Sequence, residues 1–255
     1  MSGNRPGPLQ FFHSTRARPC PYLPGRYERS IAAELDSFAA QDVYDAACAA
    51  GFRRSHGFIY RPACSDCDAC LPVRIVARDF EPRRSQSRVL KRNADLTGRL
   101  LPALATAEQF ALFARYQKSR HASAESGKGE PGSGDAGGMD RMTRSDYTAM
   151  IEDSPVDSHV IEYRSDDGVL HAAILMDRVA DGLSAVYSFF APDETSRSLG
   201  SFMILDLVRR AQAEALPYVY LGYLISETPK MSYKARFRPV EALGPDGWKL
   251  LDVMD

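Results

Sequence analysis

What the chain has too little of narrows its class first. No run of 18 apolar residues occurs in its 255 residues, which excludes an ordinary membrane-spanning helix. Met1–Pro8 is polar and holds no apolar stretch of the kind a secretory leader needs, so the expected compartment is the cytosol. A surplus of either charge is missing too: 32 Lys and Arg stand against 33 Asp and Glu, a formal net charge of −1. Any polyanion must therefore meet a local basic patch and not the surface as a whole. Five cysteines, four of them in two short stretches, do not suit a disulfide framework in a reducing compartment. What remains is globular: 44% apolar residues supply a core and 25% charged residues cover it. That length fits one large domain or two smaller ones.

The stretch 183–225 organises the rest. Leu183–Phe190 is apolar, aromatic and β-branched, and Ala191-Pro192-Asp193 stops it. Positions 199, 202, 203, 205, 207 and 208 then carry the apolar face of a helix. Pro217 ends that helix, and Tyr218–Ile225 returns as a buried strand. At the junction Arg197-Ser198-Leu199-Gly200-Ser201, backbone N–H groups, a positive dipole end and an arginine offer a place for a phosphate. An ordinary crossover with a solvated arginine has the same pattern. Upstream, Val160–Arg164, Leu170–Val179 and Leu183–Phe190, parted by Asp-Gly turns, predict three antiparallel strands. Helices are expected over Asp42–Ala50, Ala107–Ser119 and Tyr147–Ile151. Phe52–Arg61 reads as a strand or hairpin, 27–38 as strand or short helix, and Trp248–Val253 as a last strand. Residues 1–19 read as an arm anchored by Phe11 and Phe12.

Two further stretches carry chemistry. Cys64, Cys67 and Cys70 form overlapping C-x-x-C units, and Cys20 brings the thiolates to four, enough for tetrahedral zinc or an iron–sulfur cluster. Reduced cysteines packed around a turn are the alternative. Arg74–Arg92 then holds seven cations against Asp79 and Glu81. If Pro82 opens a helix, Arg84, Arg88, Lys91 and Arg92 share one face, and a phosphate backbone would relieve their repulsion. The Gly- and Ser-rich segment 122–138 is a linker or a loop over a site. Together these features predict an α+β chain: residues 1–105, a smaller α/β region with the cysteines and basic helix, then residues 106–255, a second domain with the strand–loop–helix and the Gly-rich loop 122–138.

Three antiparallel strands, a phosphate-type loop opening a helix, and another strand resemble the GNAT acyltransferases, whose acyl carrier lies between splayed strands, and that resemblance implies a GNAT-like aminoacyl-transfer domain over residues 106–255. The loop Arg197-Ser-Leu-Gly200-Ser-Phe lacks the last small residue of their R-x-x-G-x-[GA] pattern. A fuller resemblance spans about Phe12 to Trp248. The segments CPYLPGR, GFRRSHGFIYRPACSDCDACLPVRI, RSQSRVLKRN, AVYSFFAPDETSRSLGSF, YVYLGYLI and KMSYKARFRP, in this order, resemble the bacterial aspartate/glutamate leucyltransferases, relatives of the eukaryotic arginyl-tRNA–protein transferases. That resemblance implies transfer of leucine from leucyl-tRNA to proteins with an N-terminal Asp or Glu, which marks them for degradation through the N-degron (N-end rule) pathway.

Aminolysis of an activated ester needs no strong base, because an α-amine has a pKa of about 8. No cofactor is required for the transfer itself, and no membrane. Asp193, Tyr220 and Tyr223 are the expected proton relays. Arg84, Arg88, Lys91, Arg92, Arg197 and Gly200 are the expected donor contacts, and Arg53, Arg54, Lys234 and Arg236 the cations for the acceptor's carboxylate. Phe189, Phe190 and Leu221 are expected to line a leucine pocket. Two rivals stand beside this reading. One is a GNAT enzyme using acetyl-coenzyme A, with no need of the basic helix. The other is a non-enzymatic RNA-binding protein built on a metal module, which leaves the strand–loop–helix near the C-terminus without a role.

Overall fold

The computed structural model describes residues 11–35, 38–125 and 142–251. The chain runs through β1 (His13–Ser14), β2 (Arg18–Pro19), β3 (Tyr27–Glu28), β4 (Ser30–Glu34), α1 (Ala40–Ala49), β5 (Arg53–Ser55), β6 (Phe58–Pro62) and β7 (Leu71–Val76). It continues through α2 (Arg84–Arg92), β8 (Thr97–Pro102), α3 (Ala107–Glu125), α4 (Arg144–Glu152), β9 (Ser158–Arg164), β10 (Leu170–Val179) and β11 (Gly182–Phe190). Last come α5 (Leu199–Ala213), β12 (Tyr218–Leu224), α6 (Pro229–Ser232), β13 (Val240–Gly244) and β14 (Gly247–Leu250). Eight strands make one mixed sheet in the order β14-β13-β7-β12-β11-β10-β9-β8, and β1-β4-β6-β5 form a small second one. The architecture is α+β, as expected. Of the Gly-rich segment, residues 122–125 end α3, while 126–138 lie outside the described residues.

Two neighbours on β9 show which helix covers which face. Glu162 and Tyr163 point to opposite sides of the sheet. Glu162 accepts a hydrogen bond from Gln109 of α3 at 2.8 Å, and Tyr163 donates to Asp206 of α5 at 2.9 Å. So α3 lies on one face and α5 on the other. On the α3 face, the rings of Phe113, Tyr147 of α4 and Phe189 of β11 meet at 5.1, 5.6 and 5.9 Å. On the other, α5 buries Leu199, Phe202, Met203, Leu205, Leu207 and Val208, the face its periodicity predicts, and Ile204 besides. Each large side chain so buried contributes about 1.5–3 kcal/mol.

The expected division at residue 105 does not separate two sheets. β7 and β8 both precede it, yet both are strands of the large sheet, with β7 between β13 and β12. The strands of the N-terminal region are also antiparallel, not α/β; α1 packs between β5 of the small sheet and β10 of the large one, and its core of Tyr44, Cys48 and Ile59 includes Val179 and Tyr220 of the large sheet. β7 is hidden in the sequence because Arg74 reads as the start of a charge run. In the fold Arg74 is buried: its guanidinium lies 3.5 Å from the Tyr218 ring centroid and 4.3 Å from that of Trp248, and Nε donates to Glu241 at 2.8 Å. Among the described residues no helix is long and apolar enough to cross a membrane.

Candidate functional site

Among the described strands, β11 and β12 are the one parallel pair, and they pair only at Gly182–Tyr218, Leu183–Val219 and Ser184–Tyr220. Beyond that they part. Each strand bulges where they do, β11 with Val186 as an extra residue against β10, and β12 with Leu221 as an extra residue against β7. A bulge bends its strand and ends regular pairing. A parallel pair open at its carboxyl ends is a common ligand position in open sheets.

Two cations stand at this gap. Arg53 of β5 donates Nη1 to Ser184 Oγ at 3.3 Å, and Nη2 to the carbonyls of Ala185 and of Val186, the latter at 3.3 Å. Lys234 Nζ donates to the Tyr223 carbonyl at 2.5 Å and lies 3.4 Å from Met231 Sδ. That carbonyl has no strand partner available: β11 has left, and the residue opposite on β7 is Pro72, which has no N–H. Burial, and then the charge of Arg53, push the Lys234 ammonium down to about 7. Among the described residues, neither cation lies within ion-pair distance of a carboxylate. The gap is therefore positive without an internal counter-ion and suited to an anionic group.

The other expected site residues have different surroundings. Arg54 is fully buried and grips Asp177 through Nε and Nη2, both at 2.7 Å. It is a structural ion pair and no acceptor contact. Arg236 is exposed, and its carbonyl receives Gln86 Nε2 of α2 at 3.1 Å. Asp193 is exposed and pairs with Arg115 at 2.8 Å. The Tyr220 hydroxyl sits at the closed end of the pair, between Arg74 and Asp181 at 3.1 Å. The Tyr223 hydroxyl lies 3.1 and 3.0 Å from the carbonyls of Gly51 and Tyr60. Burial raises both phenols well above their ordinary value, helped by Asp181 for Tyr220 and by Tyr60 for Tyr223. Both hydroxyls are engaged in internal hydrogen bonds.

Arg197 changes its reading as well. It forms a two-point pair with Asp95 at 2.9 and 2.7 Å, and its Nε lies 2.8 Å from Glu194 Oε2. Two carboxylates already neutralise the charge that a phosphate would need. Gly200 has no positive φ, and a Cβ there would meet only the Phe190 ring, at 3.4 Å. Phe190 also packs on Tyr116, rings 4.8 Å apart, whereas Phe189 belongs to the core.

Arg84, Arg88, Lys91 and Arg92 are all exposed on α2, while Gln86 turns inward. Arg92 donates to the Ser196 carbonyl and Asn93 to that of Arg197 at 2.9 Å, so this basic face flanks the loop into α5. Cys20, Cys64, Cys67 and Cys70 are free and half-buried. Burial, then the charges of Cys64, Cys20 and Cys67, push the Cys70 thiol up to about 11. Cys64, Cys20 and Cys67 therefore each lie within electrostatic reach of Cys70. Among the described residues no three metal-ligating side chains converge closely enough to hold an ion outright. Cys48 is buried in α1, its thiol pushed up to about 12 chiefly by burial. One position the sequence reading passed over is Gly222, a glycine inside an apolar strand, which is the usual mark of a bulge or of close approach.

Comparison with known proteins adds a separate line. Residues 18–88 match the family model described as arginine-tRNA-protein transferase, N terminus, and residues 108–244 that described as arginine-tRNA-protein transferase, C terminus. An aspartate/glutamate leucyltransferase of Paramagnetospirillum magneticum is 54% identical over 239 residues, 94% of this chain and 93% of its own. One of Parvibaculum lavamentivorans is 48% identical over 238 residues, 93% of either chain. Among solved structures, FemX aligns with a TM-score of 0.45 at 9% identity, over 80% of this chain and 65% of its own, a likeness too slight to carry an argument.

Proposed function

Because the chain belongs to the arginine-tRNA-protein transferase family, among its aspartate/glutamate leucyltransferases, we propose that it moves leucine from leucyl-tRNA to proteins beginning with Asp or Glu. The observation that supports placing the transfer at the β11–β12 gap is Lys234, a buried amine with one carbonyl and one sulfur for partners and no carboxylate, beside the Arg53 guanidinium that β11 holds in place. An acidic side chain at the acceptor's first residue supplies the missing counter-ion. Its α-amine nitrogen then attacks the ester carbonyl carbon; the C–N bond forms, the C–O bond to the terminal ribose breaks, and the amine's proton ends on the leaving hydroxyl. Positioning does most of the work, since an amine of pKa about 8 is already partly neutral. Phe190, lying on Tyr116 beside Gly200, offers an apolar surface for the leucyl side chain. The exposed cations of α2 follow the tRNA backbone, and Arg236 extends that face.

An opening between the two parallel strands is the feature this reading shares with GNAT-like acyl transfer. Zinc or an iron–sulfur cluster would have to draw Cys20, Cys64, Cys67 and Cys70 closer together than they stand here, and would then tie the chain around Cys20 to the Cys64–Cys70 turn; the transfer itself uses no cofactor. The reaction belongs in the cytosol, where its donor is made, and its product enters the N-degron route.

The test is direct. Incubated with leucyl-tRNA and a peptide starting with Asp, the protein adds one leucine by mass, and a peptide starting with Ala gains none. Addition of acetyl from acetyl-coenzyme A, with no leucine from tRNA, would overturn the reading.

A further inference from the structure

The gap between β11 and β12 is held by more than the two bulges. Splayed strands leave carbonyls without partners, and these need donors from elsewhere. On β11 the unpaired run begins just after Ser184, the last residue in register with β12. Arg53 covers that run in order: the Ser184 hydroxyl, the Ala185 carbonyl, then the carbonyl of the bulged Val186. Tyr44, fully buried, donates to the same Ser184 hydroxyl at 3.1 Å and holds it in place. On the far side the guanidinium rests against β12 at Gly222. There φ is 75°, and a Cβ would lie 2.7 Å from Arg53 Nε and 3.0 Å from Cζ and Cδ. Both conditions favour glycine, the backbone twist and the absence of room.

We propose that Arg53 and Gly222 form a wedge that keeps the transfer cleft open, Arg53 being a positioning residue whose fork replaces the missing ladder and Gly222 the seat it fits. This deepens the leucyl-transfer reading and rests on it for the reaction followed. A lysine at 53 keeps the charge but cannot reach three acceptors in a line, because an ammonium lacks the planar fork. A methyl group at 222 pushes the fork out while leaving its charge in the protein.

Leucyl transfer by Arg53→Lys and Gly222→Ala, measured with Asp-, Glu- and Ala-initiated peptides, tests the wedge. Each variant is expected to lose tenfold or more in kcat, with the preference for Asp over Ala unchanged. The double variant is expected to be no worse than the weaker single one, because both disrupt one unit. A carboxylate ligand would behave otherwise: the acceptor KM would rise and the Asp preference collapse, with kcat kept. That result, parental kcat in Arg53→Lys, or additive losses would overturn the wedge. Amide exchange in the absence of substrate gives an independent reading. Arg53→Lys should speed exchange across residues 185–190 relative to the rest of the sheet, and unchanged protection there would also overturn it. Should the parent protein transfer no leucine at all, the functional reading fails, and amide exchange still decides the wedge. If Gly222→Ala does not fold, Arg53→Lys carries both tests alone.

Discussion

Lys234 has an environment that costs stability. Its ammonium is buried with one carbonyl and one sulfur for partners, beside a second cation, and its pKa falls from 10.5 to about 7. Between about pH 7 and 10.5 the unfolded chain holds the proton that the folded chain has lost, so this residue's contribution to stability improves as pH rises. Below pH 7 the penalty is at its full size, on the order of a few kcal/mol at about 1.4 kcal/mol per pKa unit. Lys234→Met should therefore melt higher relative to the parent at pH 6.5 than at pH 9.5, and should lose transfer to Asp peptides. Equal melting differences at both pH values would mean that the lysine is not desolvated. Arg197 differs in that its charge is matched. Its bond to Asp95 holds that carboxyl below the ordinary carboxylate range. Arg197→Ala should return Asp95 toward its usual value by NMR and change the KM for leucyl-tRNA by less than about twofold; a tenfold rise would restore Arg197 as a phosphate contact.

At the scale of elements, α2 is the piece with a face turned outward and no acid in its first turn. Lys91 and Arg92 in its last turn suit the helix dipole, but Arg84 in the first turn does not. Four exposed cations on nine residues imply a partner that neutralises them. Replacing Arg84, Arg88, Lys91 and Arg92 by alanine should weaken tRNA binding and flatten its salt dependence, by about 0.7–0.9 in log–log slope for each phosphate no longer neutralised. A slope equal to the parent's would remove α2 from the tRNA surface. Gln86 should stay, since its side chain caps Arg83 N at 2.8 Å and holds the Arg236 carbonyl.

Across the whole molecule, the N-terminal module and the large sheet are joined by a buried ion pair. Asp177 on β10 takes both Arg54 bonds and a third from Ser158 Oγ at 2.6 Å, with its side chain fully buried. Arg54→Met leaves that carboxylate without its cation, which costs about 3–5 kcal/mol. The melting temperature should fall sharply and in one transition, as expected if the two regions share one cooperative core; two separate transitions would mean that they fold apart. The cysteines act at the same scale. Anaerobically purified protein should carry stoichiometric zinc or iron, and Cys64→Ser should lose it; absence of both metals, with stability indifferent to chelators, would favour packed thiols.

Local periodicity was enough for α5 and for the meander β9–β11, because a helix or hairpin is specified by neighbours a few residues apart. The family motifs and the exposed basic face of α2 were legible for the same reason. β7 was not, since only Tyr218, Trp248 and Glu241, more than 140 positions away, make Arg74 tolerable in a core. The clearest case is Arg53 and Arg54. Side by side in the sequence they are interchangeable candidates. On a strand they must point to opposite faces, and tertiary structure alone decides that Arg53 enters the gap at Ala185 while Arg54 goes to Asp177. Sequence by itself determined that cations would stand in this segment; which of them faces the cleft was decided by partners 123 to 133 residues along the chain, whose positions only the assembled sheets define.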